Sequence, residues 1–405
     1  MLKADYFIIS FISRDWETYQ RVPHYMAIAR YTKVLCVEPP LTIFDAVFRP
    51  GRIWRQRFKI KNRLRQVNKN LFIYTPIALA PFGLSYRNSL LSRLNRLFIT
   101  HDVERLIRHL QIKKYISIIH APHLSCLVDI LNPLVRVYEV SDERGTSAEC
   151  PNLDKSNSTV RLIEREEKKI LASVDIVFAT SKKLYERKRI FNKNTYFIPN
   201  GVDLEHFWTN NYKRLPDITA IPRPRIGHVG FIHAILNFEW LDYCVDKHPE
   251  WSFVFLGAFH DQKTLNRDND FRRFIKRKNV FMLGWKKYED LPAYMREIDV
   301  FLLPRKDSDY SRNSNPNKIY QYLSTGRPIV SSRFDSIEPF KDCIYISDDK
   351  KTFLENIEKA IFDTDEQLKK IRLGYARGND LTLRAKEKLN IVNDYILTTK
   401  GKMSQ

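Results

Sequence analysis

The chain is poor in cysteine, has no long apolar run and, over one extended stretch, carries no acid. Its five cysteines, at positions 36, 126, 150, 244 and 343, are odd in number and lack the close spacing of a metal site. Three of them stand in apolar or strand-like surroundings, which predicts reduced core thiols and a disulfide-free protein. No run of about 18 apolar residues occurs, so no transmembrane helix is expected. The opening apolar run, Tyr6-Phe-Ile-Ile-Ser-Phe-Ile12, is too short and too poorly flanked for a signal peptide, and it reads as a strand. Together these absences predict a cytoplasmic protein. No internal repeat with a period of about 20 to 50 residues is evident, which excludes solenoids and propellers. There is no RNP strand, no zinc spacing and no basic region running into heptads, so no nucleic-acid module is visible.

A chain of 405 residues exceeds one ordinary core and predicts two domains. Apolar residues make up 43% and charged residues 28%, a globular composition. The net charge of +21 is uneven: residues 1–200 hold 34 Lys and Arg against 18 Asp and Glu, and the remainder 34 against 29. Between Asp45 and Asp102 there are 12 basic residues and no acidic one. Phe48, Trp54, Phe58, Phe72, Phe82, Tyr86, Leu90 and Leu97 are interleaved with them. That mixture over 48–97 suits an anionic membrane surface, where each nearby Lys or Arg adds about 1 kcal/mol. Phosphate neutralisation on nucleic acid is the rival reading, and a plain solvated surface the ordinary one.

Strand and helix patterns alternate along the chain. Strands are expected at 6–12, 32–37, 71–76, 115–120, 135–140, 175–179 and 195–198. Helices are expected at 22–31 (opened by Pro23), 89–110, 125–131, 159–173 and 182–191. A proline-bearing connector, 204–223, precedes a second series with strands at 225–231, 251–256, 280–283, 300–303, 329–330 and 345–347. Helices fall at 239–246, 291–297, 351–362 and 381–397. Such alternation predicts mostly parallel sheets covered on both faces, an α/β protein of two doubly wound units. Ligands of such sheets bind beyond the carboxyl ends of the strands.

One segment is especially informative: Asn315-Pro-Asn-Lys-Ile-Tyr-Gln-Tyr-Leu-Ser-Thr-Gly-Arg-Pro-Ile-Val-Ser-Ser332. Ile319, Tyr322 and Leu323 share one helical face. Pro316 suits the first turn, Gly326 the left-handed stop, and Pro328 prevents continuation. Lys318 then falls in the first turn, where the helix end is already electropositive. A bound phosphate removes that conflict, because free N–H groups and an ammonium hold it together. The ordinary alternative is a solvated surface lysine.

The arrangement resembles the GT-B glycosyltransferases over roughly residues 5–340. The resemblance is carried by Trp16…Gln20-Arg-Val-Pro-His24, Ile198-Pro-Asn-Gly-Val-Asp-Leu-Glu-His-Phe207, Gly227-His-Val-Gly230, Phe253-Val-Phe-Leu-Gly257, Asp299-Val-Phe-Leu-Leu-Pro304 and the Lys318–Pro328 segment. It implies two Rossmann-like domains facing a central cleft. The first, 1–207, would bind the acceptor; 208–222 would be a linker; 223–376 would bind the nucleotide-sugar; and a helix in 377–405 would cross back to the first domain. Many retaining members place two glutamates eight residues apart in the last motif, and here Asn313 and Gln321 take those positions. The Lys318, Gln321, Tyr322 pattern is similar to the xanthan glucuronosyltransferase type, an inverting, membrane-associated family. So is Val137-Tyr-Glu-Val-Ser-Asp142 followed by Ile163-Glu-Arg-Glu166. The teichuronic acid transferases, family 4-like bacterial enzymes, share much of the pattern.

That resemblance implies Asp142 as general base, with Lys318 and Gln321 on the donor nucleotide. The residues suit the chemistry. A sugar transfer needs a carboxylate to take the acceptor proton and a cation to stabilise the leaving diphosphate. Asp142 follows an apolar strand; its ordinary alternative is a capping aspartate. Gly227, Gly230 and Phe231 would form a turn on which a nucleotide lies close to the backbone. Arg305 would reach phosphates or a sugar carboxylate; its ordinary alternative is a surface arginine. His24 and His123 stand on the acceptor side, and neither they nor His120 have a zinc-like partner, so no metal is expected. The Asp-x-Asp strings at Asp268 to Asp270 and Asp307 to Asp309 read as coincidence, and Glu164 and Glu166 as a solvated face. The expectation is an inverting transferase, peripheral on the inner face of the plasma membrane. It would use a UDP-linked sugar, glucuronate by analogy, and a lipid-linked saccharide acceptor, with no cofactor and no nucleic acid. A retaining GT-B enzyme and a non-catalytic sugar-nucleotide or nucleic-acid binding protein are the rivals.

Overall fold

The computed structural model describes residues 5–16, 21–43, 63–80, 88–127, 131–142, 158–209, 215–260 and 262–403. The chain divides into two compact units. One comprises the described residues of Met1–Gly145, Asp154–Ile198 and Thr382–Gln405; the other comprises those of Pro199–Leu381.

The first unit holds strands β1 (Phe7–Phe11), β2 (Val34–Val37), β3 (Leu41–Thr42), β4 (Leu64–Asn68), β5 (Leu71–Tyr74), β6 (Ile77–Ala78), β7 (Tyr115–Ile119), β8 (Arg136–Val140), β9 (Ile176–Ala179) and β10 (Thr195–Phe197). Eight form one sheet in the order β10-β9-β8-β7-β1-β2-β5-β4, while β3 and β6 pair separately. Within the large sheet every pairing is parallel except β4 with β5. Chain order reverses between β1 and β7, the place where doubly wound sheets open a crevice. These strands read as continuous apolar runs because both faces are covered: all four residues of β2 and of β9 are buried. The helix Ser89–His109 contributes Ile99, Val103, Leu106 and Ile107 to the core. Asn88 caps it by accepting from the Leu90 and Leu91 amides.

The second unit holds β11 (Arg225–Val229), β12 (Ser252–Leu256), β13 (Val280–Gly284), β14 (Val300–Leu303), β15 (Ile329–Ser332) and β16 (Tyr345–Ser347). Their order is β13-β12-β11-β14-β15-β16, all parallel, with reversal between β11 and β14. Alternate residues feed two cores. Phe253 and Phe255 enter one, Val254 and Leu256 the other, as the two-residue period of a strand requires. The Pro199–Phe207 stretch belongs to this unit: the Val202 amide donates to the Asn379 carbonyl at 3.0 Å. A β-carbon on Gly201 would fall 2.2 Å from that carbonyl oxygen.

Several sequence expectations shift in detail. Of the helix expected at 125–131, residues 125–127 belong to a 3-10 turn at Pro122–Leu127, and 128–130 lie outside the described residues. The first helix is shorter than its periodicity suggests, Val22–Ile28. The 204–223 connector contains two one-turn helices, Leu204–Phe207 and Pro216–Thr219. A helix at Glu366–Gly378 has no counterpart in the sequence reading, since most of its surface is charged and it buries only Arg372 and Ala376. Gly227 lies inside β11 instead of in a turn. A β-carbon there would come within 2.6 Å of Ile298 Cδ1, so its role is close packing and not nucleotide approach.

The helix Asn317–Thr325 is fixed at its far end by Gly326, whose φ of +70° favours glycine. Arg372, 1% exposed, closes the same end. Its Nη1 donates to the Gly326 carbonyl at 3.3 Å and its Nε to the Cys343 carbonyl at 2.8 Å, while Nη2 pairs with Asp363. Removing one partner of a buried ion pair strands the other charge. Arg372→Met is therefore expected to lower the stability of the second unit by roughly 3–5 kcal/mol. Urea unfolding followed by tryptophan fluorescence checks this, with Asp363→Asn in the same chain recovering part of the loss.

Candidate active site

The strongest chemical signal in the second unit gathers at the carboxyl ends of β11 and β14. Strand β11 ends at Val229, and Gly230 follows with φ +125°, a conformation that side-chain-bearing residues rarely adopt. The Lys318 side chain fills the space a β-carbon would take. A β-carbon built on Gly230 would stand 2.1 Å from Lys318 Cε and 2.7 Å from Nζ. The ammonium is thus laid against the turn that leaves β11.

Tyr322, one helical turn after Lys318, holds this contact in place. Its hydroxyl accepts from the Val229 amide at 2.8 Å and donates to the Val229 carbonyl at 3.2 Å. Its ring stacks on Phe301 of β14, with centroids 4.3 Å apart. A fully buried phenol therefore ties the helix to the strand end it serves. The sequence pattern placed Tyr322 on the apolar face of the helix but not its hydroxyl's partners, which are backbone groups 93 residues away.

The electrostatics are one-sided. Lys318 is half-buried, and loss of hydration together with the nearby Arg305 guanidinium pushes its pKa down to about 8. No carboxylate among the described residues pairs with it. Surrounding cations are matched by contrast: Arg312 pairs with Asp307 and Asp309, and Lys306 with Asp268. These pairs also occupy three of the four carboxylates of the Asp-x-Asp strings, and the fourth, Asp270, pairs with Arg273. Arg305 is clamped between the rings of Tyr310 and Phe334, its guanidinium 5.5 and 5.2 Å from their centroids, and it donates to Ser314. His228, a residue the sequence reading passed over, sits buried in β11 with Nδ1 3.1 Å from the Leu302 carbonyl oxygen. Burial, and after it the Lys318 charge, push its pKa down to about 3, so it is neutral. A histidine in an otherwise apolar strand was the signal that could have found it.

Hydrogen-bond acceptors stand unused nearby in sequence. The carboxamide oxygens of Asn313, Asn315 and Asn317 are buried with no donor. The other ends of two of these residues are fixed: Asn313 Nδ2 donates to the Asp309 carbonyl at 2.7 Å, and the Asn315 carbonyl accepts from Asn200 Nδ2 at 2.6 Å. A buried acceptor without a donor costs about 1–3 kcal/mol, which an ordered water or a ligand hydroxyl reaching it would relieve. The helix of Lys318 begins at Pro316 with no side-chain cap, so its first amides face no protein acceptor from a cap. Gln321 is half-buried and its carbonyl accepts from Ser324; Phe231 is half-buried, 5.8 and 5.7 Å from the rings of His233 and His260.

In the first unit, Asp142 is half-buried just past β8 and accepts from Ser141 Oγ at 3.2 Å. Thr180 fixes the strand end before it, donating its amide to Val140 and its hydroxyl to the Ser141 carbonyl. His24 is buried in the Val22–Ile28 helix, and His123 lies on the Pro122–Leu127 turn. Glu166 is not a solvated residue: it is mostly buried and accepts from Ser125 and Lys169. Among the described residues no group of three His, Cys, Asp or Glu side chains could hold a metal ion.

Residues 223–363 match the family described as Glycosyl transferases group 1. A Bacillus subtilis (strain 168) protein named as a teichuronic acid biosynthesis glycosyltransferase, TuaH, is 26% identical over 234 residues. That match spans 54% of this chain and 57% of the relative. Sucrose-phosphate synthase from Thermosynechococcus elongatus superposes with a TM-score of 0.70 at 12% identity, covering 97% of this chain and 100% of that one. Anabaena HepE in complex with UDP gives 0.64 at 11% identity over 96% and 100%. Trehalose 6-phosphate synthase from Burkholderia multivorans gives 0.64 at 12% identity over 98% and 100%. The chain has the fold of the GT-B glycosyltransferases, and within it residues 223–363 are similar to the glycosyl transferases group 1 family.

Proposed function

We propose that this protein is an inverting glycosyltransferase that takes a sugar from a UDP-linked donor and places it on a lipid-carried glycan. One observation carries the donor half of this reading: a half-buried ammonium, Lys318, lies against the positive-φ turn at Gly230 with Arg305 nearby and, among the described residues, no carboxylate to match it. A diphosphate supplies the missing negative charge, and an uncapped helix start adds free amides. The same groups would stabilise that diphosphate as it leaves with the bond to the sugar broken. The donorless oxygens of Asn313, Asn315 and Asn317 suit sugar hydroxyls, which donate. HepE, which shares the fold, binds UDP and UDP-glucose.

Asp142 would take the acceptor proton. It stands beyond the carboxyl end of β8, where active groups of such sheets collect. Leu90, Leu97 and Phe98 are exposed on the Ser89–His109 helix, which also presents Arg93 and Arg96 to solvent. That mixture supports contact with an anionic membrane at its inner face, which is where a lipid-linked acceptor would be met. The other aromatics of the basic stretch, Phe48, Trp54, Phe58, Phe82 and Tyr86, lie outside the described residues. The relative named for teichuronic acid biosynthesis favours polysaccharide synthesis as the setting.

Three outcomes are expected. Asp142→Asn abolishes transfer, a loss of at least about 100-fold in kcat, and leaves UDP affinity within about twofold of the native value; unchanged turnover would remove Asp142 from the reaction. Donor affinity depends on pH through Lys318. The ammonium is charged below about pH 8 and neutral above it, so UDP affinity measured calorimetrically is flat at lower pH and falls by up to about tenfold per unit above pH 8. An affinity that stays flat through pH 9.5 contradicts the assignment. Leu97→Asp with Phe98→Asp weakens sedimentation with vesicles of anionic lipid and leaves turnover of a soluble acceptor unchanged. Thermal shift across a panel of UDP-sugars, glucuronate included, identifies the sugar, since a ligand bound only to the folded state raises Tm.

A further inference from the structure

The first unit contains a buried charge cluster that the reaction above does not use. Glu139, in β8 and 3% exposed, receives two cations on the same oxygen, Oε1: Arg21 and Lys388, the latter at 2.7 Å. All three are buried, at 3%, 9% and 7% exposure. The cluster continues through His120, whose positive form would act on Glu139 and whose Nε2 lies 3.0 Å from Ser10 Oγ, with Tyr25 hydrogen-bonded to both. Its members come from the carboxyl-terminal ends of β1, β7 and β8 and from the Val22–Ile28 helix. Lys388 alone arrives from the C-terminal helix, Leu381–Met403.

Burying these charges is costly. Each ion loses hydration worth several kcal/mol, and apolar residues of the same volume would often be as stable. Stability therefore gives no reason for an ion cluster at this point. Elsewhere the helix is attached by ordinary contacts: Tyr6 Oη to Asn393 at 2.9 Å, and Tyr395 Oη to Asp175 at 3.3 Å. What distinguishes Lys388 is its address. Glu139 stands near the end of β8, and Asp142 lies two residues past the strand; pairing with β9 ends at Val140 opposite Ala179, and beyond it Thr180 holds the Val140 and Ser141 carbonyls.

Resting on the reading of Asp142 as general base, we propose that Lys388 is a positioning residue for it: the C-terminal helix, through the Lys388–Glu139–Arg21 cluster, sets the end of β8 and hence the Asp142 carboxylate. The geometry has a direct consequence. Loosening the cluster misplaces a base without touching the nucleotide, and misplacement of about 1 Å costs up to about 100-fold in rate.

The test is Lys388→Gln, which removes one cation and leaves the Arg21–Glu139 pair intact. It is expected to lower kcat at least tenfold with KM for the UDP-sugar within about twofold. Lys388→Arg should restore kcat to within about threefold, as a cation of similar reach. Tyr6→Phe loosens the same helix elsewhere and should lower Tm with kcat unchanged. Should Lys388→Gln not fold, Glu139→Gln with Lys388→Met keeps the native net charge of the cluster and carries the same readout. A Lys388→Gln enzyme with native kcat overturns the proposal, as does one whose kcat loss is matched by Tyr6→Phe at equal loss of Tm. Asp142→Asn is measured alongside: if it retains turnover, the reading of Asp142 has failed independently of Lys388.

Discussion

An ammonium pressed against a glycine organises the second unit. Gly230 must be glycine on two counts: its φ of +125° excludes most side chains, and Lys318 occupies the space a β-carbon would need. Lys318 must in turn start a helix whose other end is anchored by Gly326 and Arg372 and whose middle is tied to β11 through Tyr322. The consequence is a half-buried, partly dehydrated positive charge with no acid paired to it among the described residues. Proteins seldom leave a charge in that state, because desolvation favours its loss. The arrangement makes sense when an anion is the missing partner.

The two units solve opposite electrostatic problems. Lys318 has no paired carboxylate among the described residues, and in the same segment of chain acceptor atoms on Asn313, Asn315 and Asn317 are left without donors. Around Glu139 the carboxylate is matched twice over, and its pKa is held far below the usual carboxylate range by Arg21 and Lys388 against the cost of burial. The first arrangement invites a ligand; the second fixes a scaffold. Glu139 keeps its charge throughout the neutral range, so its contribution to stability is present above the ordinary carboxylate pKa and is lost only as pH falls through its depressed value.

Much of the fold was legible because parallel strands buried on both faces leave apolar runs that need no partner to be recognised. The same holds for the Lys318 helix, where Pro316, Gly326 and Pro328 mark both ends in the sequence. Less visible were features decided by distant packing. Gly227 reads like a ligand-binding glycine and is in fact a strand residue under Ile298. The helix Glu366–Gly378 hides its purpose, since its key buried residue is an arginine that closes another helix. His228 and Glu139 were passed over for a shared reason: each is a polar residue in an apolar strand, and only its neighbours show what it touches. Asn313 and Gln321 were noticed as departures from a glutamate pair, yet the donorless oxygen of Asn313 could not be read from sequence at all.

The central claim is that Lys318 binds the diphosphate of the donor, and the most direct measurement is a calorimetric titration of UDP into Lys318→Gln beside the native protein at neutral pH. The account predicts a loss of affinity of about 10- to 100-fold, the equivalent of one charged hydrogen bond of roughly 1.5–3 kcal/mol, with the unfolding temperature retained or raised because a desolvated charge is gone. Equal affinity in the two proteins would contradict it.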